Sequence, residues 1–285
     1  MSNEEPIVFL NGRYLPLKEA HVSVLDRGFL FGDGVYEVIP VYGHCVFRLA
    51  EHLVRLSNSL TAVDIPNPHS DAEWTVIFNE LVARNPAEGD RSLYLQVTRG
   101  AGPTRDHLYP PGLVPTVFAM CRPITAKTYE AGISAITHED IRWQYCHIKA
   151  ITLLPNIMLK QIALKTNGSA EAILHRNGNV TEGAASNVFI VRNGVVCTPP
   201  KDPTILPGVT RDLLVELLRG AGIRCDETAI SLQQLAGADE VWITGSVAGI
   251  APVARLDGRQ IGDGHPGPVW QAAVKLFNDY KRSLQ

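Results

Sequence analysis

Residues 171–197, EAILHRNGNVTEGAASNVFIVRNGVVC, decide the fold class. Two Asn-Gly dipeptides punctuate this stretch, at Asn177-Gly178 and Asn193-Gly194. Asn and Gly tolerate the positive φ angles of a type I′ turn, which suits a tight antiparallel connection. Apolar runs flank both turns: Ala172-Ile173-Leu174 before the first, Val188-Phe189-Ile190-Val191 and Val195-Val196-Cys197 around the second. Two hairpins follow. The same device stands at Asn11-Gly12, between residues 7–10 and 13–15, and a weaker one at Asp257-Gly258.

Helical periodicity alternates with these hairpins. Leu49, Leu53, Leu56 and Leu60 make one apolar stripe. Ser70 and Glu73 have capping-box spacing and open a helix over residues 70–84. Further helices are expected at 156–166, 210–219 and 269–282. Hairpins mixed with helices predict an α+β chain rather than a doubly wound parallel sheet. A composition break after an extended Pro-punctuated strand places a linker at residues 123–130 between an N-terminal domain, residues 1–122, and a C-terminal domain, residues 131–285.

Composition removes several classes. The chain has 285 residues, 45% of them hydrophobic, and a net charge of −3 without a basic run, so no nucleic-acid partner is expected. Its longest uncharged stretch, residues 107–121, falls short of the roughly 20 residues of a membrane helix and contains three prolines. The acidic start predicts no signal peptide. Five scattered cysteines without a C-x-x-C pair suggest neither a disulfide framework nor a zinc site, but reduced thiols in a cytoplasm.

Residues 28–36, GFLFGDGVY, lack the G-x-G-x-x-G spacing and read as a tight turn between strands rather than a dinucleotide cradle. Ser246 is not in a G-x-S-x-G elbow. Residues 139–149 read as a strand ending at Lys149. A lysine in so apolar a setting either reaches solvent as a structural residue or sits desolvated, which makes its amine nucleophilic, as Schiff-base chemistry requires. Glu182 lies in what reads as a small-residue connection between strands, open to a planar group. Residues 205–212 open a helix whose first N–H groups suit an anion, and residues 243–249 add further amides and hydroxyls. One lysine, one carboxylate and two anion-binding turns form a coherent set for pyridoxal phosphate.

Several segments carry a resemblance in order: residues 23–28 and 34–38, Glu51 to Leu56, Ile141-Arg142-Trp143 through Ile148-Lys149, residues 171–174, Glu182 through Phe189, residues 206–212 and residues 250–253. From about Ile7 to the C-terminal helix the chain resembles the fold-type IV pyridoxal-phosphate enzymes, most nearly the D-amino-acid aminotransferases. The resemblance implies a small N-terminal α/β domain, a larger C-terminal domain with hairpin-rich sheets, and pyridoxal 5'-phosphate as cofactor. It implies that Lys149 forms the Schiff base and shuttles a proton, that Glu182 pairs with the pyridine nitrogen, and that Arg55 meets the phosphate. The amides of Val209 and Thr210, with Ser246 and Val247, complete the phosphate cup, and Ser186 stands near the cofactor. Tyr36, Arg105 and His107 are matched to the group that holds the substrate carboxylate, through a loop that reaches across a dimer interface.

The expected reaction moves an amino group from a D-amino acid such as D-alanine to 2-oxoglutarate or pyruvate by a ping-pong cycle in a cytoplasmic homodimer. Two features depart from the family pattern. Thr104 lengthens the Arg105–His107 loop, and Val247 and Ala248 replace hydroxyl residues, with residues 249–252 drifting toward other relatives. The alternatives are an (R)-amine or branched-chain L-amino-acid transaminase, or an aminodeoxychorismate-type lyase.

Overall fold

The computed structural model describes residues 5–125, 128–129 and 131–284. The four turn dipeptides adopt the conformations their residues favour. Asn11, Asn177, Asn193 and Asp257 have φ of 47°, 51°, 50° and 51°, and the glycine after each is also positive.

The chain divides into two units, Met1–Ala126 with Ile148–Thr152, and Lys127–His147 with Leu153–Leu284. The first contains β1 (Ile7–Leu10), β2 (Arg13–Pro16), α1 (Arg27–Phe31), β3 (Gly34–Tyr42), β4 (Cys45–Val46), α2 (Leu49–Ala62), α3 (Asp71–Arg84), β5 (Arg91–Thr98) and β6 (Thr116–Pro123). Its strands form an antiparallel sheet in the order β2-β1-β6-β5-β3-β4. The stripe of Leu53, Leu56 and Leu60 on α2, with Trp74 and Phe78 on α3, shares one core with Ile39, Leu93 and Leu95 of the sheet. Ser70 and Glu73 form the expected capping box on α3.

The second unit contains β7 (Ile133–Glu139), α4 (Leu154–Lys165), β8 (Glu171–Arg176), β9 (Asn179–Gly183), β10 (Asn187–Arg192), β11 (Val195–Thr198), α5 (Val209–Gly220), β12 (Cys225–Glu227), α6 (Leu232–Ala236), β13 (Glu240–Gly245), β14 (Gly249–Leu256), β15 (Arg259–Gln260) and α7 (Pro268–Ser283). The order is β12-β11-β10-β13-β14-β7-β8-β9, with β15 beside β14. Only the β11–β12, β14–β7 and β7–β8 pairs are parallel among the described residues. Ile173, Val188, Ile190, Ile243 and Val253 build one core, and Leu159 and Ala163 of α4 cover Ala172 and Leu174 in another.

Four local expectations need correction. Residues 28–36 do not form a turn between strands; they contribute most of α1. Asp26 caps that helix by accepting from the Gly28 N–H at 2.8 Å, and Gly32, with φ 68°, ends it. Residues 139–149 are not a strand. β7 stops at Glu139, because the backbone beyond it bonds to side chains: Arg176 donates to the carbonyls of Arg142 and Trp143, and Asp140 accepts from the Arg142 N–H. Glu182 lies within β9 rather than in a connection after it. Residues 148–152, assigned from sequence to the C-terminal domain, go with the first unit, since Ile148 is buried in its core and Ala150 pairs with Val35. Within the expected linker, Ala126, Lys127 and Glu130 lie outside the described residues.

Among the described residues no helix is long and apolar enough to cross a membrane, and no group of residues is arranged to hold a metal. All five cysteines are free thiols.

Candidate active site

In the first unit the site begins with β3, whose side chains alternate between two faces. Val35, Glu37, Ile39 and Val41 are buried, while Tyr36 is half-buried. Beside this strand runs the segment with Lys149. The Tyr36 N–H donates to the Lys149 carbonyl at 2.9 Å, and the Ile151 N–H donates to the Gly34 carbonyl at 3.0 Å. The Lys149 N–H donates to Ser59 Oγ of α2 at 3.1 Å. Close packing requires glycine at 34, where a Cβ would lie 2.7 Å from the Val97 carbonyl oxygen. With its backbone so fixed, Lys149 sets its Nζ 4.1 Å from the centroid of the Tyr36 ring, a cation–π distance.

Glu37 anchors a buried charge cluster. Its carboxylate accepts from Arg55 Nε at 2.8 Å and Arg55 Nη2 at 2.7 Å, and from His52 Nδ1 at 2.8 Å. His52 and Arg55 sit three residues apart on α2, on the same face. Burial opposes ionisation of Glu37, but Arg55 and His52 outweigh it and hold the carboxyl well below its usual range. Burial pushes the His52 imidazole the other way, below its usual value, with Arg55 and Lys149 adding to the effect. Glu37 opposes that shift through its contact with Nδ1, and the buried Nε2 of His52 has no partner among the described residues.

Arg105 and His107 lie on the exposed loop after β5. The Arg105 guanidinium is 5.0 Å from the Phe31 ring centroid, and the His107 ring is 5.4 Å from it.

In the second unit Glu182 is 4% exposed. Its Oε1 accepts from Arg142 Nη1 at 2.6 Å; its Oε2 accepts from Asn187 Nδ2 at 3.1 Å and the Leu206 N–H at 3.0 Å. Burial pushes its pKa up to about 7, although Arg142 pulls against it. Arg142 is itself clamped by Asp140, which accepts from Nε and Nη2, each at 2.9 Å. Arg176 and Thr181 also donate to Asp140. The result is a chain of alternating charge running from Arg176 through Asp140 and Arg142 to Glu182.

Ser186 donates to the buried Glu171 at 2.9 Å, and the turn around it needs Gly183, where a Cβ would fall 2.1 Å from Ser186 Oγ. Val209 and Thr210 open α5 behind Gly208, which provides no side-chain cap. Their amides therefore lack intrahelical acceptors and point the positive helix end at whatever lies before it. Gly208 is itself enforced, since a Cβ there would fall 2.0 Å from Asn187 Oδ1. Half-buried Ser246 and exposed Val247 occupy the turn between β13 and β14, next to Thr244, whose buried Oγ1 has no partner among the described residues.

These donor sets fit pyridoxal phosphate. The first unit offers an amine and a buried arginine; the second offers a buried carboxylate, an uncapped helix start and an unpaired hydroxyl. Arg142, Asp140, Asn187, Glu37 and His52 were assigned no role from sequence. Glu37 was the most legible of these, as an acidic residue on the apolar face of a strand otherwise made of Val35, Ile39 and Val41.

The amino-transferase class IV family model matches residues 34–256. A D-alanine aminotransferase of Bacillus licheniformis is 44% identical over 264 residues, 92% of either chain. That of Staphylococcus haemolyticus is 38% identical, covering 97% of this chain and 98% of its own. Among solved structures, the branched-chain amino acid aminotransferase of Escherichia coli superposes with a TM-score of 0.90 at 28% identity, over 97% of this chain and 94% of that one. The T.th. branched-chain amino acid aminotransferase complexed with N-(5'-phosphopyridoxyl)-L-glutamate gives 0.91 at 27% identity, over 99% and 96%. The matched family spans both clusters described above, and the chain belongs to the class IV aminotransferases, pyridoxal-phosphate-dependent enzymes of fold type IV.

Proposed function

We propose that the chain transfers the amino group of a D-amino acid, D-alanine first among them, to 2-oxoglutarate or pyruvate by a ping-pong cycle. The buried Glu182 carboxylate, held through both oxygens by Arg142, Asn187 and the Leu206 amide, carries this reading. Such a carboxylate holds a proton on a ring nitrogen. Bound pyridoxal phosphate supplies an electron sink for the pair left when the substrate Cα–H bond breaks.

Each residue has a task in this scheme. Lys149 would hold the cofactor through Nζ, and once the substrate's amine has displaced it the freed Lys149 amine would carry the proton to and from the substrate Cα. Tyr36 orients that amine from 4.1 Å. Arg55 meets the phosphate, with Glu37 fixing its guanidinium in a bidentate pair. The Val209 and Thr210 amides, Ser246 and Val247 complete the phosphate cup, and Ser186, fixed by Glu171, stands at the ring. Arg105 and His107 hold the substrate carboxylate, which favours an amino acid over a simple amine. Their loop serves a neighbouring subunit, so the working enzyme is a homodimer. Five free thiols suit a cytoplasmic setting.

A second reading has support of its own. The solved structures named above are branched-chain aminotransferases. Purified protein with 2-oxoglutarate separates the two. Pyruvate from D-alanine, with little product from L-alanine or L-leucine, supports the D-specific reading. Turnover of L-leucine alone would replace it with the branched-chain one.

A further inference from the structure

Two buried arginines share one carboxylate beneath the Arg105–His107 loop. Asp33 accepts from Arg27 Nε at 2.8 Å, and from Arg99 Nε at 2.8 Å and Arg99 Nη2 at 3.0 Å. Arg27 and Arg99 are 6% and 7% exposed. Burial works against charge on Asp33, yet Arg99 and Arg27 together hold its carboxyl below the usual range. The outer N–H groups of the two guanidiniums go to different segments. Arg99 donates to the carbonyls of Val63 and Asp64, both at 2.7 Å. Arg27 donates to the carbonyls of Asp106, at 2.6 Å, and His107, at 3.0 Å.

The same loop is fixed twice more. The Tyr109 ring lies over Arg99 at 3.8 Å and Arg27 at 5.7 Å, and its hydroxyl donates to Asp64 Oδ2 at 3.0 Å. Phe31, the last residue of α1, meets three groups. Arg27 lies 4.8 Å from its ring centroid and Arg105 5.0 Å, with the His107 ring 5.4 Å away. α1 therefore begins with the residue that ties down the loop backbone and ends with the ring that the loop's two functional side chains pack against.

We propose that Arg27 and Phe31, held by Asp33 and Arg99, are positioning residues that preset Arg105 and His107 for the substrate carboxylate. The proposal rests on the reading that Arg105 and His107 bind that carboxylate. An exposed loop of Gly, Pro and polar residues otherwise samples many arrangements. Long side chains ordered before the ligand arrives lose less entropy on binding. The tie also bears on Thr104: the carbonyls of Asp106 and His107, which follow the added residue in the chain, are both fixed at Arg27.

The test uses KM and kcat for D-alanine in the loaded enzyme, with thermal midpoints alongside. Arg105→Ala sets the reference and raises KM by about tenfold or more, the worth of one charge-assisted pair. Phe31→Leu removes the platform and raises KM about fivefold, with kcat nearly unchanged, while Phe31→Tyr restores KM. Arg27→Lys, whose single ammonium does not span both carbonyls and Asp33, raises KM in the same sense. Phe31→Leu adds less than its full effect in the Arg105→Ala background, where only His107 is left for the ring to position. A solely structural role would lower the thermal midpoint without this KM selectivity or this non-additivity. If Arg105→Ala raises KM but neither Phe31→Leu nor Arg27→Lys does, the positioning role is overturned while the carboxylate assignment stands. If Arg105→Ala leaves KM unchanged, the carboxylate assignment falls, and the positioning role with it.

Discussion

Glu37→Gln removes the negative charge that Arg55 and His52 share. The carboxylate accepts three hydrogen bonds between 2.7 and 2.8 Å and is 1% exposed. An amide of the same shape offers one acceptor oxygen and puts an NH2 where the other oxygen accepted, facing donors. Arg55 then remains cationic and buried. Removing one partner of a buried pair costs about 3–5 kcal/mol, and the lower end is expected here because one acceptor survives. For a chain of this size that is a fall of roughly 6–12 °C in the unfolding midpoint. The pH dependence has a definite sign. Glu37 is held below its usual value of 4.5, so the pair stabilises fully above about that pH and loses its effect as pH falls toward the lower folded value. Urea unfolding of cofactor-free wild type and Glu37→Gln, near neutrality and again near pH 4, measures the gap. It is expected to be largest near neutrality and to narrow in acid. A neutral gap under about 1 kcal/mol, the size of an exposed pair, or a gap that widens in acid, would refute the reasoning.

Three other perturbations have clear expectations. Lys149→Ala keeps the fold, since the backbone bonds of residue 149 remain and its side chain contributes a single cation–π contact with Tyr36, and loses transamination; persistent turnover in a folded variant would remove Lys149 from the mechanism. Glu182→Gln acts through the opposite linkage: because the folded pKa is raised from 4.5 to about 7, the wild-type carboxyl lowers stability progressively as pH rises between those values, by about 3 kcal/mol in all. Cofactor-free Glu182→Gln therefore gains stability relative to wild type between about pH 4.5 and 7, and equal pH profiles in urea melts would contradict the buried assignment. Gly34→Ala pushes a Cβ to 2.7 Å from the Val97 carbonyl, so its thermal midpoint drops by the equivalent of about 1–3 kcal/mol; an unchanged midpoint would deny the close contact.

The legible parts of this chain were those written in local chemistry. Asn177-Gly178 and Asn193-Gly194 turned where their dihedral freedom indicated, and the Leu49–Leu60 stripe and Ser70–Glu73 box became α2 and the start of α3. The errors arose where side chains overrode the backbone pattern. Residues 139–149 have strand-like composition, yet Asp140, Arg142 and Arg176 take the hydrogen bonds a ladder would need. Residues 28–36 concealed most of a helix of five residues, too short for periodicity to register but marked by Asp26 before it and Gly32 after it. The charge cluster of Glu37, His52 and Arg55 joins residues 15 and 18 apart, and the pairing of Arg142 with Glu182 spans 40. Pairs at such separations follow from tertiary folding, and spacing along the chain does not announce them.

The most direct test is the visible spectrum of the purified, cofactor-loaded protein before and after each enantiomer of alanine. The account predicts that D-alanine bleaches the yellow band, that 2-oxoglutarate restores it, and that L-alanine leaves it nearly unchanged. A band bleached only by the L-enantiomer, or by neither, would contradict transamination of D-amino acids.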